Sequence, residues 1–401
     1  MAQLRSKKIR IAAITSVATA ALVGGFTALP AQAAPATGTV LAAGSPTAIK
    51  DSYIITLEKT AGFKASSSEG KGLISEYGGT VKRTFGAALN GYSATLSAQE
   101  AARLAADPAV ATVEQNQTVH VDATQSSAPW GLDRIDQTSL PLSTTYTYPD
   151  TAGAGVTAYV IDTGVRITHT QIAGRATNGY DAVEGDNVAQ DGNGHGTHVA
   201  TTIAGSTYGV AKKANIVAVR VLDNAGSGTT AGVIAGINWV TSNHSGPSVA
   251  NLSLGGGAST TLDTAVSNSI ASGVTYAIAA GNSNANASSY SPARVATAIT
   301  VGATTSTDAR ASYSNYGSIL DIFAPGSSIL AGYNTSDTAT ATLSGTSMAT
   351  PHVAGAAAIY LSSHTSATPA QVSTALVNGA TSNLVTSPGT GSPNKLLKIV
   401  P

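Results

Sequence analysis

The sequence predicts an α/β protein: a parallel sheet with helices on both faces, preceded by a small α+β unit. Three observations carry this. From Gly155 onward, short runs rich in Val and Ile ("VTAYVID", "IVAVRVL", "SVANLSL", "VTYAIAA") alternate with helix-like runs such as 230–243 and 259–272. Strands that are apolar almost throughout are buried on both faces, which is the habit of a parallel sheet. Before them, residues 51–122 read as strand, helix, strand, strand, helix, strand, the ferredoxin-like order. Between the two lies a polar, Pro-punctuated stretch, "ATQSSAPWGLDRIDQTSLPL". Charge shifts across it: residues 1–122 carry 11 of the 21 Lys+Arg and 8 of the 21 Asp+Glu, leaving 10 against 13 for 123–401.

Taken in order, the chain opens with Arg5, Lys7, Lys8 and Arg10, then a mostly apolar run from Ile11 to Phe26, then Ala31-Gln32-Ala33. That is the layout of a secretory signal peptide over 1–33, and it predicts secretion with no membrane anchor. Residues 34 to about 50, rich in Ala, Pro, Gly and Thr, form a lead-in. "DSYIITLE" is the first strand. "SSEGKGLISEYGG" is a helix ended by Gly78-Gly79. "GTVKRTF" and "NGYSATLS" are strands, and "SAQEAARLAADP" carries a capping box, Ser97 with Glu100, and stops before Pro108. "PAVATVEQNQTVHVD" returns to strand. Near the other end, Thr368 as N-cap, Pro369 at N1 and Gln371 open a last helix.

Bulk properties narrow the function. Only 10% of residues are charged, the formal net charge is zero and no basic patch stands out, which argues against a nucleic-acid partner. There is no cysteine, so thiol catalysis and Cys-based zinc sites are excluded, and bound metal is a natural substitute for disulfide staples.

The candidate chemistry sits at strand ends and glycine-rich turns. Asp162 ends the strand of "YVIDTG". Alone, the motif fits an Asx-turn or a functional acid. Pepsin-like enzymes also use "DTG" but need two such aspartates, and this chain has one. His195 and His198 lie in "DGNGHGTHVATTIAG", with His195 at the mouth of a helix. A metal site is one reading, although Gly and Thr stand where an H-E-x-x-H hydrolase needs its Glu and its i, i+4 spacing; a core or capping role for His198 is the other. Ser347 in "SGTSMATPHVAG" follows Gly345 at a helix start, where backbone N–H groups and the helix dipole favour developing negative charge. The motif nearly matches the G-x-S-x-G elbow of α/β-hydrolases, which runs Ser, acid, His. No Asp or Glu follows Ser347, so that triad is impossible. His352 lies five residues on, about 500° of helical rotation, and so points some 140° away. A base for Ser347 must come from elsewhere, and His195 is the best candidate. Asn282, in "AIAAGNSNA", is either a turn residue or an amide donor to an oxyanion.

"VIDTGV", "GHGTHVA", "SLGG", "AAGN" and "GTSMATPHVAG" together resemble the subtilase superfamily of serine proteases, in the order Asp162, His195, Ser347. "APWGLDRID" and "SNYGSILDIFAPG" are similar to its proteinase K and aqualysin branch. The resemblance implies a subtilisin-like catalytic domain over 123–401 and an inhibitor-type, chaperoning propeptide over 34–122, cut between Asp122 and Ala123. It implies Ser347 as nucleophile, His195 as base, Asp162 as its orienting acid and Asn282 as oxyanion donor. It implies substrate strands at Gly226, Ser227 and Gly228 and at Ser253, Leu254 and Gly255, which would clamp extended polypeptide by main-chain pairing. Ala279, Ala280 and Gly281 would wall a P1 pocket open to bulky apolar or aromatic side chains. Structural Ca²⁺ is implied at two places: Asp321 with the carbonyls of Ala296 and Ala298, and Asp133, Asp136 and Gln137 with Ser143 and Thr145. The expected product is a secreted, self-processing, monomeric endopeptidase. A non-catalytic binding protein on the same fold and a metal-dependent hydrolase using His195 and His198 are the competing classes; the complete Asp-His-Ser-Asn set speaks against the former.

Overall fold

A computed structural model describes residues 36–45, 48–117 and 122–400. The predicted signal peptide and residues 118–121 lie outside them. The chain divides into two units, one of residues up to Leu41 with Asp51–Glu114, the other of Ala42–Lys50 with Gln115–Pro401.

The elements of the first unit are β1 (Val40–Leu41), β2 (Ala48–Leu57), α1 (Ser68–Glu76), β3 (Thr80–Phe85), β4 (Gly91–Thr95), α2 (Ala98–Leu104) and β5 (Val110–Gln117). Their sheet order is β1-β5-β2-β4-β3. Apart from the two-residue β1, this is the ferredoxin-like arrangement that the sequence predicts. The Ser97/Glu100 capping box forms, and Ser67 caps α1 by accepting from Gly70 N–H. Ile55, Tyr92 and Leu104 are fully buried between sheet and helices.

The second unit begins with β6 (Asp122–Ser126), α3 (Trp130–Asp136) and β7 (Thr145–Pro149), β6 pairing antiparallel with β7. Next come β8 (Thr157–Asp162), β9 (Ala176–Asp181), α4 (His195–Ala204), β10 (Asn215–Arg220), α5 (Thr230–Asn243), β11 (Ser248–Leu252), β12 (Gly256–Gly257), α6 (Thr260–Ala271), β13 (Thr275–Ala279), β14 (Tyr290–Ser291), β15 (Ile299–Thr304) and β16 (Ile322–Pro325). The hairpin β17 (Ile329–Gly332) and β18 (Thr340–Leu343), then α7 (Thr346–Ser363), α8 (Pro369–Gly379), β19 (Thr381–Ser382) and β20 (Lys395–Leu396) complete it. The main sheet runs β19-β20-β16-β15-β13-β11-β8-β10-β9, parallel except at the β19–β20 edge.

Alternation along β8 shows why the sheet is covered twice. Ala158 and Val160 join one core with α4, α7 and α8; Tyr159 and Ile161 join another with α5 and α6. The strand order reverses at β8, with β10 and β9 on one side and β11, β13 and β15 on the other. Such a switch point opens a crevice at the carboxyl ends of the strands. Helix α7 is buried along nearly its whole length. A helix apolar all round belongs in a core, and Gly355 lets it lie against α4, where a Cβ would run into Val210 and approach the Ile203 carbonyl.

Two histidines are locked inside this core. His198 shares a hydrogen bond with the Ile329 carbonyl and His352 with the Met348 carbonyl, both as donors. Burial pushes each down to about 4, against an ordinary value of about 6.5. The unfolded chain therefore takes up these protons first. Their contribution is complete above pH 6.5 and is lost as pH falls from there towards 4. Thermal melts of the Ser347→Ala protein should show the second unit's Tm dropping steadily over that window; a flat Tm from pH 7 to 4.5 would contradict the assignment.

Candidate active site

Asp162 closes β8 with its carboxylate wholly buried. Its Oδ1 accepts from His195 Nδ1 at 2.7 Å and from Thr163 N–H at 2.7 Å. An ionised carboxylate only accepts, so the proton of this bond is on Nδ1 and the Nε2 lone pair of neutral His195 is free. About a quarter of the His195 side chain is exposed, towards the cleft. Burial disfavours the imidazolium, but the charge and hydrogen bond of Asp162 outweigh it, with help from Asp191, and the pKa rises above the ordinary value.

The local sequence explains how α4 comes so near. Gly194, the residue before α4, has φ 112°, and a Cβ there would run into the Tyr333 ring. A Cβ at Gly196 would collide with the Gly164 carbonyl just past Asp162. Glycine at 196 is the condition for the helix to meet the strand end.

Ser347 stands in the first turn of α7. Its hydroxyl donates to the Ser253 carbonyl at 3.1 Å. Ser253 Oγ donates in turn to the Ser347 carbonyl at 2.8 Å and is itself held by Asn251 Nδ2 at 2.8 Å. Pro351 accounts for that carbonyl being available. It stands four residues on and has no N–H to give to Ser347. Asn282 Oδ1 accepts from Thr346 N–H at 2.8 Å and from Thr346 Oγ1 at 3.0 Å. With its oxygen so occupied, the amide presents its Nδ2 donor beside the Ser347 turn. Thr346 Oγ1 also accepts from Gly281 N–H at 3.1 Å, which ties the Ala279–Ala280–Gly281 segment to the start of α7.

A hollow of about 590 Å³ lies beside His195. Gly226, Ser227 and Gly228 line it together with Ser253, Leu254 and Gly255 and the apolar side chains of Leu222, Val233 and Leu262. Both predicted substrate segments therefore border one cleft. Ala279, Ala280 and Gly281 are not among its walls and sit instead beside Ser347 through Thr346.

Other candidates separate from this site. His198 faces the Ile329 carbonyl, so it does not converge with His195 on a metal, and among the described residues no group of three or more His, Cys, Asp or Glu could hold one. His352 is buried at the Met348 carbonyl and away from Ser347, as helical geometry requires. Asp321 Oδ2 accepts from Thr300 N–H at 2.8 Å, two residues beyond Ala298. Burial lifts its pKa to about 6, partly opposed by that bond. In the second predicted calcium set, the donors turn on one another. Asp133 accepts from Ser143 N–H, Ser143 Oγ and Thr144 N–H; Ser143 Oγ and Thr145 Oγ1 lie 2.8 Å apart; Gln137 Oε1 accepts from Ser143 N–H. Only Asp136 Oδ1 is left buried without a partner.

Family models match both units of the chain. The Subtilase family model matches residues 153–395, and the Peptidase inhibitor I9 model matches residues 52–122. The chain belongs to the subtilase family. An extracellular serine proteinase of Thermus sp. (strain Rt41A) is 56% identical over 320 residues, 80% of this chain and 78% of the relative. Alkaline serine exoprotease A of Vibrio alginolyticus is 50% identical over 382 residues, 91% and 71% respectively. A solved cold-adapted subtilisin-like serine proteinase is 56% identical, with a TM-score of 0.67 over 69% of this chain and 100% of that one. This subtilase is a serine endopeptidase with an inhibitor-type propeptide. Sequence motifs placed Ser253 in a substrate strand without its hydroxyl link to Ser347, and they missed the hydroxyls of Thr163 and Thr346 and the carboxylate of Asp191. Only Pro351, four residues beyond Ser347, offered a hint of the Ser253 link.

Proposed function

We propose that this subtilase cuts polypeptides through an acyl-enzyme formed on Ser347. Ser347 Oγ attacks the scissile carbonyl, and His195 Nε2 takes its proton and later delivers it to the leaving amine. Asp162 holds the imidazole tautomer and stabilises the imidazolium. Asn282 Nδ2 and the Ser347 N–H, which has no partner among the described residues, receive the oxyanion. The observation that carries this reading is the 2.7 Å bond from His195 Nδ1 to buried Asp162, which leaves Nε2 facing the cleft. Substrate pairs in extended form with Gly226–Gly228 and Ser253–Gly255, so main-chain bonds dominate and specificity is broad, with apolar or aromatic P1 side chains favoured near Ala279–Gly281.

The same reading makes 1–33 a signal peptide, 34–122 the propeptide and 123–401 the secreted enzyme; the relative from Thermus is named extracellular, and no helix of the described residues is long and apolar enough to cross a membrane. The Asp122–Ala123 bond lies in β6, paired with β7, and Gln125 of that strand bonds the Thr207 carbonyl. Thr207 follows the far end of α4 from His195, a helix of ten residues or about 15 Å. Strand β6 must therefore leave β7 for its bond to reach Ser347. A serine-directed fluorophosphonate should label the wild type on Ser347 and leave Ser347→Ala unlabelled and unprocessed; peptidase activity surviving that substitution would sink the mechanism.

For calcium, the Asp321 site fits. A half-buried carboxylate with a raised pKa lacks compensating positive charge, and bound Ca²⁺ would supply it while tying β15 to β16 through Asp321 and the carbonyls of Ala296 and Ala298. In the Ser347→Ala background, millimolar Ca²⁺ should raise Tm by several degrees. Asp321→Asn should abolish that rise and Asp136→Asn should keep it; a rise that survives Asp321→Asn would place the ion elsewhere.

A further inference from the structure

Asp191 is an almost fully buried carboxylate that takes no part in the mechanism above. It accepts five hydrogen bonds. Oδ1 receives Thr163 Oγ1 at 2.9 Å, Asn193 N–H at 2.9 Å and Gly194 N–H at 2.8 Å. Oδ2 receives Thr197 N–H at 2.9 Å and Thr197 Oγ1 at 2.6 Å. Every donor belongs to a segment that carries a triad residue: Thr163 follows Asp162, and 193, 194 and 197 surround His195. Thr163 Oγ1, while donating to Asp191, also accepts from Gly196 N–H at 2.9 Å, closing the link from the β8 turn to α4. Helix α4 has a glycine N-cap with no side-chain cap of its own, so Asp191 satisfies N–H groups that would otherwise be orphaned. The β17–β18 hairpin fixes the backbone beneath: Asn334 Nδ2 donates to the Asp191 carbonyl at 3.0 Å and Tyr333 OH to the Asn193 carbonyl at 3.0 Å.

We propose that Asp191 is a positioning residue of this active site, locking the turn that carries Asp162 to the helix start that carries His195 and keeping a second negative charge beside the imidazole. The proposal rests on the Asp162–His195–Ser347 reading. Its electrostatic part is separable from packing, because few charges surround His195. They are Asp162 at the end of β8, Asp191 before α4, and His198 one turn along α4, which stays neutral. Asp223 beyond the cleft caps its own turn at Ala225 and Ser227. The Arg166–Asp337 pair ties down the β17–β18 hairpin from outside.

The test is the pH dependence of kcat and KM for Asp191→Asn and Thr163→Val, made as full chains and matured with a trace of wild-type enzyme. An amide at 191 must turn its Nδ2 towards N–H or O–H donors, and the negative charge is gone. Asp191→Asn should lower kcat by about tenfold or more, leave KM within about twofold because Asp191 does not line the cleft, and move the acid limb of kcat/KM to lower pH. Thr163→Val keeps the charge, so kcat should fall with the acid limb in place. Wild-type kcat and an unmoved acid limb in Asp191→Asn would overturn the proposal. Should that variant not mature, the downfield imidazole proton of His195, titrated by NMR in uncut Ser347→Ala chains with and without Asp191→Asn, decides: a lower pKa supports the proposal and an unchanged one overturns it. Should Asp191→Asn not fold, an unaltered kcat in Thr163→Val overturns it. His195→Ala, run in parallel, tells the two hypotheses apart, since activity surviving it would refute the triad and not Asp191 alone.

Discussion

Everything in this active site depends on how closely the start of α4 approaches the end of β8. A 2.7 Å bond between His195 and Asp162 forms only if a helix and a strand terminus meet backbone to backbone. Side chains larger than hydrogen forbid that at Gly196, where any Cβ would strike the Gly164 carbonyl. Once the approach is made, the bond excludes water from the carboxylate and fixes the imidazole tautomer. The remaining hydrogen bonds of the two segments, through Thr163 and Asp191, leave them little freedom to slide. Preorganisation of this kind lets the charges act without rearrangement when the substrate arrives.

The other half of the site is delivered by burial. Helix α7 is apolar and small-residued all round, so it can only sit in the core, and its N-terminus then emerges at the carboxyl edge of the sheet. That edge is also where β8, β10, β11 and β13 release Asp162, the Gly226–Gly228 segment, Ser253 and Asn282. A single topological reversal at β8 thus gathers residues far apart in the chain. The buried histidines illustrate how sharply position decides role. His195 keeps an exposed edge and an anionic neighbour and is held basic, whereas His198 and His352, in the same two helices, are stripped of water and held neutral.

Much of this was legible in the sequence because it is local. The helix over 230–243 has the bounds read from its pattern, and the Ser97/Glu100 and Thr368/Gln371 capping boxes form as spaced. The 140° offset of His352 needed only helical geometry. Strands β9, β15, β16 and β20 were not singled out: β16 is four residues long, β20 two, and β9 is largely polar with a glycine at 179. The hydroxyl contact of Ser253 with Ser347, and the places of Thr346 and Asp191, escaped for a different reason. A serine or threonine has many local uses, and what gives these three their place is a partner 94, 64 or 28 positions away.

The claim that two distant motifs make one reactive unit can be measured directly with kcat for His195→Ala, Ser347→Ala and the double variant, all matured by added wild-type enzyme and then purified away from it. Groups that act as one unit lose their function once, so the double variant should be no slower than the worse of the two single ones. Losses that multiply in the double variant would mean that His195 and Ser347 work independently, and would contradict the account.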